Sequence, residues 1–200
     1  IILANTEALE LFNGESKWTV NIKSQVKRLN GLMQNLLTLS RMDEADIHLP
    51  MTEIDLADLI GRSAADFEEP ARGKKIEFCR EIPPLKVRGN RESLSQLFGI
   101  LFDNAVKYTP EGGKIGISAR REGGRVLVEQ RNSIEPGSAI EDPNRLFDRF
   151  YRSDEARTQK SGGYGIGLSA AKAIAAANRA DLTAYYADKE TIVFAVKLMI

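Results

Sequence analysis

Apolar residues recur every three or four positions along the first part of the chain. Between residues 17 and 43 the recurring positions are Trp18, Ile22, Val26, Leu29, Met33 and Leu36, with Leu32 and Leu39 alongside. This spacing predicts an amphipathic helix with one apolar stripe. The residues from Ile1 also read as helix, Asn13-Gly14 predicts a break, and Ser16 is a suitable N-cap for the second helix. The two helices are predicted to form a hairpin that needs another layer, which a second copy in a dimer would supply.

A polar connector at residues 46–50 separates this hairpin from a region with a different pattern. We therefore predict a hairpin at 1–45 and a second domain at 46–200. Helices are predicted at 56–67, 91–108 and 167–178, and strands at 75–82, 86–88, 114–121, 125–131, 182–186 and 191–199. Residues 132–165 form a long stretch with short helical pieces at most, which is typical of a functional or mobile segment. The predicted fold class is α+β.

The amino-acid composition limits the kinds of partner and functional site that the chain can have. The 200 residues carry 28 Lys and Arg against 28 Asp and Glu, a formal net charge of zero, which argues against nucleic acid as the main partner. A single cysteine, Cys79, and a single histidine, His48, exclude an internal disulfide and a multi-cysteine or multi-histidine metal site. No apolar run is long enough to span a bilayer. The chemistry must therefore rest on asparagine, aspartate, lysine, arginine and glycine.

The predicted helix at 91–108 carries a polar face separate from its apolar stripe. Ile100, Asn104, Lys107 and Tyr108 share this face by their spacing. An asparagine oxygen can complete an octahedral Mg²⁺ shell, and a lysine compensates anionic oxygens, so the face suits a metal–phosphate ligand. An ordinary solvated helix face is the alternative interpretation.

Glycines alternate just before the last predicted helix, in the run 162–168. Alternate glycines let backbone N–H groups approach a phosphate, and the following helix N-terminus favours negative charge. The run does not follow a predicted strand, so it fails the dinucleotide-binding pattern, and the chain has no Walker loop. A plain flexible turn is the alternative.

Three aromatic residues fall in the charged stretch at 146–152. Phe147, Phe150 and Tyr151 could pin a lid onto the domain while Arg149 or Arg152 faces a phosphate. A core-facing helical turn explains the same residues equally well.

The order and spacing of these motifs resemble the catalytic and ATP-binding half of a sensor histidine kinase of a two-component system. Residues 101–110 resemble that family's N box, 146–151 its F box and 163–168 its G2 box. Residues 36–41 are similar to the end of the second helix of its dimerization and phosphotransfer hairpin. The resemblance covers essentially the whole chain, and three boxes in the right order make a specific match.

The resemblance implies a helical hairpin that dimerizes into a four-helix bundle, followed by an α/β sandwich of the histidine-kinase and gyrase type of ATPase fold. It implies that ATP is the substrate and Mg²⁺ the cofactor, with Asn104 as the metal ligand. The ATP-binding residues that it implies are Asn104, Lys107, Tyr108, Asn132, Arg152, Gly163, Gly165, Gly167 and Leu168. Phe147 and Phe150 would anchor the lid.

Three departures from the family pattern stand out. The phosphoacceptor histidine of the family lies in an H box near the start of the first hairpin helix, which we expect upstream of Ile1; His48 is expected to be an exposed linker residue. No catalytic residue is therefore assigned. The G1 box, usually Asp-x-Gly-x-Gly, reads Asn132 to Gly137 here, so Asn132 would meet adenine without a carboxylate's charge. Ile100 stands where many members carry a second asparagine.

The resemblance implies a kinase core that phosphorylates a histidine and passes the phosphate to an aspartate on a response-regulator receiver domain. It also implies the cytoplasmic portion of a membrane-anchored bacterial protein, attached only through an upstream region. One alternative is a nucleotide-poor module that dimerizes and binds a regulator without kinase activity. A more distant alternative is another ATPase of the gyrase and heat-shock-chaperone superfamily.

Overall fold

The computed structural model describes residues 1–42, 49–151 and 165–200. At the N-terminus, helix α1 (Ile2–Asn13) and helix α2 (Lys17–Met42) pack together, with Lys23 Nζ 2.6 Å from Glu10 Oε2. The Ser16 hydroxyl accepts a hydrogen bond from the Thr19 amide at 3.2 Å, as the predicted N-cap requires. The predicted boundary between residues 45 and 46, and His48, lie outside the described residues.

The rest of the described chain is a sheet with three helices packed on one face. The strands are β1 (Thr52–Asp55), β2 (Glu77–Glu81), β3 (Lys86–Gly89), β4 (Lys114–Glu122), β5 (Arg125–Ser133), β6 (Asp181–Asp188) and β7 (Thr191–Met199). The helices are α3 (Leu56–Gly73), α4 (Arg91–Tyr108) and α5 (Gly167–Ala177), with a short 3-10 helix at Pro143–Phe147. This mixture confirms the predicted α+β class.

The sheet of the described residues has seven strands in the order β1-β3-β7-β5-β4-β2, with β6 also paired to β7. Strands β2 and β4 are parallel, and the other pairs are antiparallel. Strand β5 pairs with β4 and β7 along its whole length, so it lies in the middle of the sheet. Its residues therefore alternate between the helix-covered face and the opposite face.

Helix α4 supplies the centre of the core. Five of its large apolar side chains are fully buried, namely Leu94, Leu97, Phe98, Leu101 and Phe102. Burial of each stabilises the fold by about 1.5–3 kcal/mol. The Asn90 side chain caps the helix by accepting from the Ser93 amide at 3.0 Å. Packing of this stripe fixes the rotation of α4, and with it the direction of its polar face.

The structure departs from the sequence predictions in three elements. Helix α3 ends at Gly73 rather than at residue 67. It continues through Pro70, a residue that disfavours helix interiors, and the buried Ala71 extends its packed stripe. Strand β1 was not predicted, since only Ile54 of its four residues is buried. Strand β5 runs through Asn132 and Ser133, which were predicted to begin the irregular stretch.

Helix α2 also packs against the start of α5. Leu39 is buried with Ile166 and Ala170, and Leu32 and Ile100 border the same cluster. Helix α2 is also joined to α4, where the Gln96 amide nitrogen donates to the Thr38 hydroxyl at 2.7 Å. Within residues 1–42, 49–151 and 165–200, no helix combines the length and hydrophobicity that a bilayer crossing requires.

Candidate functional site

The polar face of α4 presents Asn104, Lys107 and Tyr108 together. All three are half-buried and lie in the last two turns of the helix. The Lys107 ammonium lies 5.0 Å from the centre of the Tyr108 ring. The fully buried stripe of α4 sets the direction in which this polar face points.

Asp103 precedes Asn104 and was given no role from the sequence. Its side chain is exposed at the surface, yet the surrounding protein still desolvates the carboxylate. Desolvation raises the pKa of Asp103 above its ordinary value, and the positive charge of Lys107 opposes that rise. A carboxylate of raised pKa beside a lysine is the kind of environment found at functional sites.

The C-terminal end of α4 is held by Lys74, which sequence analysis did not single out. The Lys74 ammonium donates to the backbone carbonyls of Val106, Lys107 and Thr109 at 2.8, 3.2 and 3.3 Å. Thirty-two or more positions separate the lysine from these partners. A contact between such distant positions leaves no local pattern in the sequence.

Asn132 lies on the helix-covered face of β5, at the end of the strand. It is 1% exposed, and its amide nitrogen donates to the Ser133 carbonyl at 3.1 Å. Its Oδ1 atom is a buried acceptor with no hydrogen-bond partner in the described part of the chain. Because an unpaired buried acceptor is costly, this oxygen fits a donor group of a bound molecule.

Gly165 sits where no other residue would fit. Its φ is 71°, and a Cβ atom there would lie 2.7 Å from the Tyr151 carbonyl oxygen. The Phe150 amide donates to the Gly165 carbonyl at 2.9 Å. The two ends of the segment between Tyr151 and Gly165 are therefore in direct contact.

Gly167 and Leu168 form the beginning of α5. Ile166 stands at the N-cap and makes no side-chain capping hydrogen bond, so the first amides of the helix have no side-chain cap. A Cβ atom at Gly167 would lie 3.5 Å from Ile100 Cγ2 and 3.8 Å from Asn35 Nδ2. The start of α5 thus adjoins α4 one turn before Asn104 and also lies close to α2.

The two predicted lid anchors differ. Phe147 is buried, and its ring lies 6.1 Å from the Phe194 ring in an edge-on arrangement. Phe150 is 68% exposed and has a φ of 64°, so the structure does not show the anchoring packing expected of this ring. Instead, the backbone amide of Phe150 hydrogen-bonds to the Gly165 carbonyl and so joins the two ends of the segment between Tyr151 and Gly165. Arg152 and Gly163 lie outside the described residues.

Ile100, on the same helix as Asn104, makes apolar contacts. It borders the cluster of Leu39, Ile166 and Ala170, so it packs where hairpin and domain meet. The departure noted in the sequence is therefore part of the contact between α2 and the rest of the molecule.

A metal ion at this site would have few protein ligands. The described residues contain no group of three or more histidine, cysteine, aspartate or glutamate side chains that could hold a metal. Mg²⁺ in phosphate sites commonly takes one or two protein oxygens and completes its shell with phosphate oxygens and water. The half-buried Asn104 amide with Lys107 one turn away fits that arrangement.

Comparison with known families agrees with this geometry. Residues 89–199 match the family described as "Histidine kinase-, DNA gyrase B-, and HSP90-like ATPase". The chain belongs to this ATPase family. The matched region includes α4, β5, α5 and every proposed nucleotide-binding residue, whereas α1 and α2 lie outside it.

Two relatives carry the names of a sensor-like histidine kinase and of a sensor protein. The chain is 32% identical to the sensor-like histidine kinase SenX3 of Mycobacterium tuberculosis over 76% of its own length and 37% of SenX3. It is 47% identical to the sensor protein CiaH of Streptococcus pneumoniae over 54% of its own length and 24% of CiaH. The chain thus spans well under half of these curated relatives.

A solved structure shows the same fold over more of the chain. The histidine kinase ThkA in complex with the response regulator protein TrrA is 25% identical, with a TM-score of 0.72 over 92% of this chain and 51% of that one. Kinase relatives do not favour the interaction-only module, nor an ATPase of the gyrase or chaperone branch.

Proposed function

We propose that this chain is the ATP-binding kinase core of a two-component sensor histidine kinase. The observation that carries the proposal is the contact between the start of α5 and the face of α4 that bears Asn104, at Gly167 and Ile100. A phosphate group at the N-terminal amides of α5 would lie beside a neutral oxygen ligand and a lysine. The names of the histidine kinases SenX3 and ThkA support the same class of enzyme.

The chain's own residues would bind and orient Mg-ATP. Asn104 would ligate Mg²⁺, which when bound neutralises charge on the phosphate oxygens. Lys107 would compensate the remaining phosphate charge, and the amides at Gly165, Gly167 and Leu168 would donate to phosphate oxygens. Tyr108 would flank the nucleotide, and Arg152 and Gly163 complete the proposed set.

Asn132 would recognise the adenine ring. Its buried Oδ1 atom has no partner in the described residues, and its amide nitrogen is already bonded to the Ser133 carbonyl. The oxygen is therefore the atom available to accept a hydrogen bond from the adenine 6-amino group. A neutral amide would make a weaker bond than a carboxylate.

The phosphate would pass to a histidine and then to a response-regulator aspartate. Helix α2 approaches the start of α5 at Asn35 and Leu39, which would bring a hairpin close to the γ-phosphate. Catalysis would be mostly positioning and charge neutralisation. The accepting histidine is expected in an H box of the longer protein, because His48 follows the second helix rather than opening the first.

The hairpin would dimerize. Most of the large apolar side chains that are exposed in the described structure lie on α1 and α2, for example Leu11 and Phe12 at 87%, Trp18 at 67% and Met33 at 58%. A second copy would cover them by forming a four-helix bundle. We further propose that the protein is bacterial and membrane-anchored through another region, with this part in the cytoplasm and no nucleic-acid partner.

Calorimetric titration with Mg²⁺ and a non-hydrolysable ATP analogue tests the proposal. Binding by the chain should be lost or weakened about a hundredfold in Asn104→Ala, because the metal ligand is removed. Asn30→Ala is the matched control, since it removes an exposed helical asparagine that is assigned no part in the site, and it should bind as the parent does. Equal affinity of Asn104→Ala and the parent, or no binding by a folded parent, would contradict the proposal.

A further inference from the structure

The last turn of α4 carries Lys107 and Tyr108, two of the proposed nucleotide-binding residues, and its end needs an external hydrogen-bond partner. The final carbonyls of any helix have no amide of their own helix to accept from. In α4 the Ala105 carbonyl is used by the Thr109 amide, whereas those of Val106 and Lys107 face out of the helix end. Fraying of this turn would move Lys107 and Tyr108.

Lys74 meets this need with one ammonium group. The ammonium contacts the carbonyls of Val106, Lys107 and Thr109 at 2.8, 3.2 and 3.3 Å. An ammonium has three N–H donors, one for each of these carbonyls. A cation at a helix C-terminus also complements the helix dipole. The side chain is half-buried, so solvent competes only partly for these carbonyls.

The backbone of Lys74 is fixed independently of its side chain. Its amide donates to the Pro70 and Ala71 carbonyls at 3.3 and 3.1 Å, and its carbonyl accepts from the Gly112 amide at 3.0 Å. Residue 74 therefore joins the end of α3 to the turn that follows α4. A substitution that keeps the aliphatic stem and removes only the ammonium should leave this backbone junction in place.

We propose that Lys74 is a positioning residue for nucleotide binding: by holding the last turn of α4 it fixes Lys107 and Tyr108 against the bound nucleotide. This inference rests on the proposed function. Lys74 would contact neither the nucleotide nor the metal and would act through the α4 backbone. Lysine suits the position because its three donors diverge, whereas an arginine fork presents its donors in one plane.

Calorimetric titration of Lys74→Met with Mg²⁺ and the ATP analogue tests the inference. Affinity should fall about tenfold, because the charge-assisted bonds that order the turn are lost. Lys74→Arg, which keeps the charge and several donors, should recover part of that loss. Lys75→Met is the matched control: Lys75 is the next residue, its ammonium forms an exposed ion pair with Glu111, and affinity should stay within about twofold of the parent.

Hydrogen exchange on the same variants separates positioning from general destabilisation. Exchange of the amides at 105–109 should rise in Lys74→Met while exchange in the sheet strands stays at the parent level. Unchanged affinity in folded Lys74→Met would overturn the inference. Equal loss of protection throughout the molecule, or failure of Lys74→Met and Lys74→Gln alike to fold, would assign Lys74 to stability and reject positioning.

The two hypotheses fail differently. A parent chain that does not bind the analogue contradicts the proposed function and, with it, the inference. A parent that binds, with Asn104→Ala weakened and Lys74→Met unchanged, supports the proposed function and rejects the inference alone.

Discussion

The two faces of strand β5 differ in whether their buried side-chain oxygens have hydrogen-bond partners. On the face away from the helices, Glu129 is 3% exposed and accepts hydrogen bonds from Arg120 at 2.6 Å, from Arg131 at 3.1 Å and from the Tyr185 hydroxyl. On the helix-covered face, Gln130 and Asn132 are each 1% exposed, and the side-chain oxygen of each has no partner in the described residues.

This difference distinguishes a structural cluster from the proposed adenine-binding position. Desolvation raises the pKa of Glu129, but its hydrogen bonds from Tyr185, Arg120 and Arg131 outweigh that effect and lower the pKa to about 2. The Glu129 cluster is satisfied within the fold, so its contribution is to stability. The Asn132 oxygen has no partner in the described residues, which supports the proposal that it accepts a hydrogen bond from a ligand.

Removal of the Glu129 carboxylate should produce the largest change in stability. Glu129→Ala breaks three hydrogen bonds to a buried carboxylate, and the free energy of unfolding should fall by about 2 kcal/mol. Affinity for the ATP analogue should stay within about twofold, since the change lies on the other face of the sheet. Urea denaturation and calorimetry check both parts. A loss of affinity in a folded variant would show that the two faces are not independent.

Stability measured at decreasing pH should reveal the contribution of the Glu129 carboxylate, with a smaller effect than that of Glu129→Ala. The pKa of Glu129 is lowered from 4.5 to about 2, so its stabilisation is complete above pH 4.5 and is lost as the pH falls toward 2. Because Arg120 and Arg131 are half-exposed, we expect the free energy of unfolding to fall by about 1–2 kcal/mol over this pH range, which is less than the full pKa shift would give. Glu129→Gln should flatten the unfolding free energy over this pH range. An identical pH dependence in parent and variant would contradict the assignment.

An exposed ion pair on the same face should matter least. Lys197 Nζ lies 2.8 Å from Glu122 Oε2, and both side chains are nearly half exposed. Lys197→Met should leave the melting temperature and the affinity for the ATP analogue unchanged within error, because solvent screens such pairs. A clear loss of stability would mean that the charges on this face act as one network rather than through Glu129 alone.

The sequence predicted best those elements whose local signals agree. Helix α4 was placed at residues 91–108 from its strong apolar stripe, and both ends agree with the structure, where Asn90 caps the first turn. The resemblance of the N, F and G2 boxes placed the candidate site on the segments that the family match includes. The roles of individual residues within those boxes stay predictions.

Features that depend on tertiary contacts were not predictable from local patterns. The role of Lys74 depends on carbonyls that follow it by at least thirty-two positions, so nothing in its neighbourhood marks it. Asn132 was predicted to begin the irregular stretch, whereas pairing with Ile115 and Ile192 keeps it in β5. The exposure of Phe150 follows from its backbone contact with Gly165, which composition does not reveal.

The most direct test of the contrast between the two faces compares ADP with inosine diphosphate, which lacks the 6-amino group, as ligands of the parent and of Asn132→Ala in the presence of Mg²⁺. The parent should prefer ADP by about tenfold, because the buried oxygen of Asn132 gains its missing donor. Asn132→Ala should bind both within about twofold of each other and keep the parent's unfolding free energy within about 1 kcal/mol. A preference for ADP that survives intact in Asn132→Ala would contradict the account.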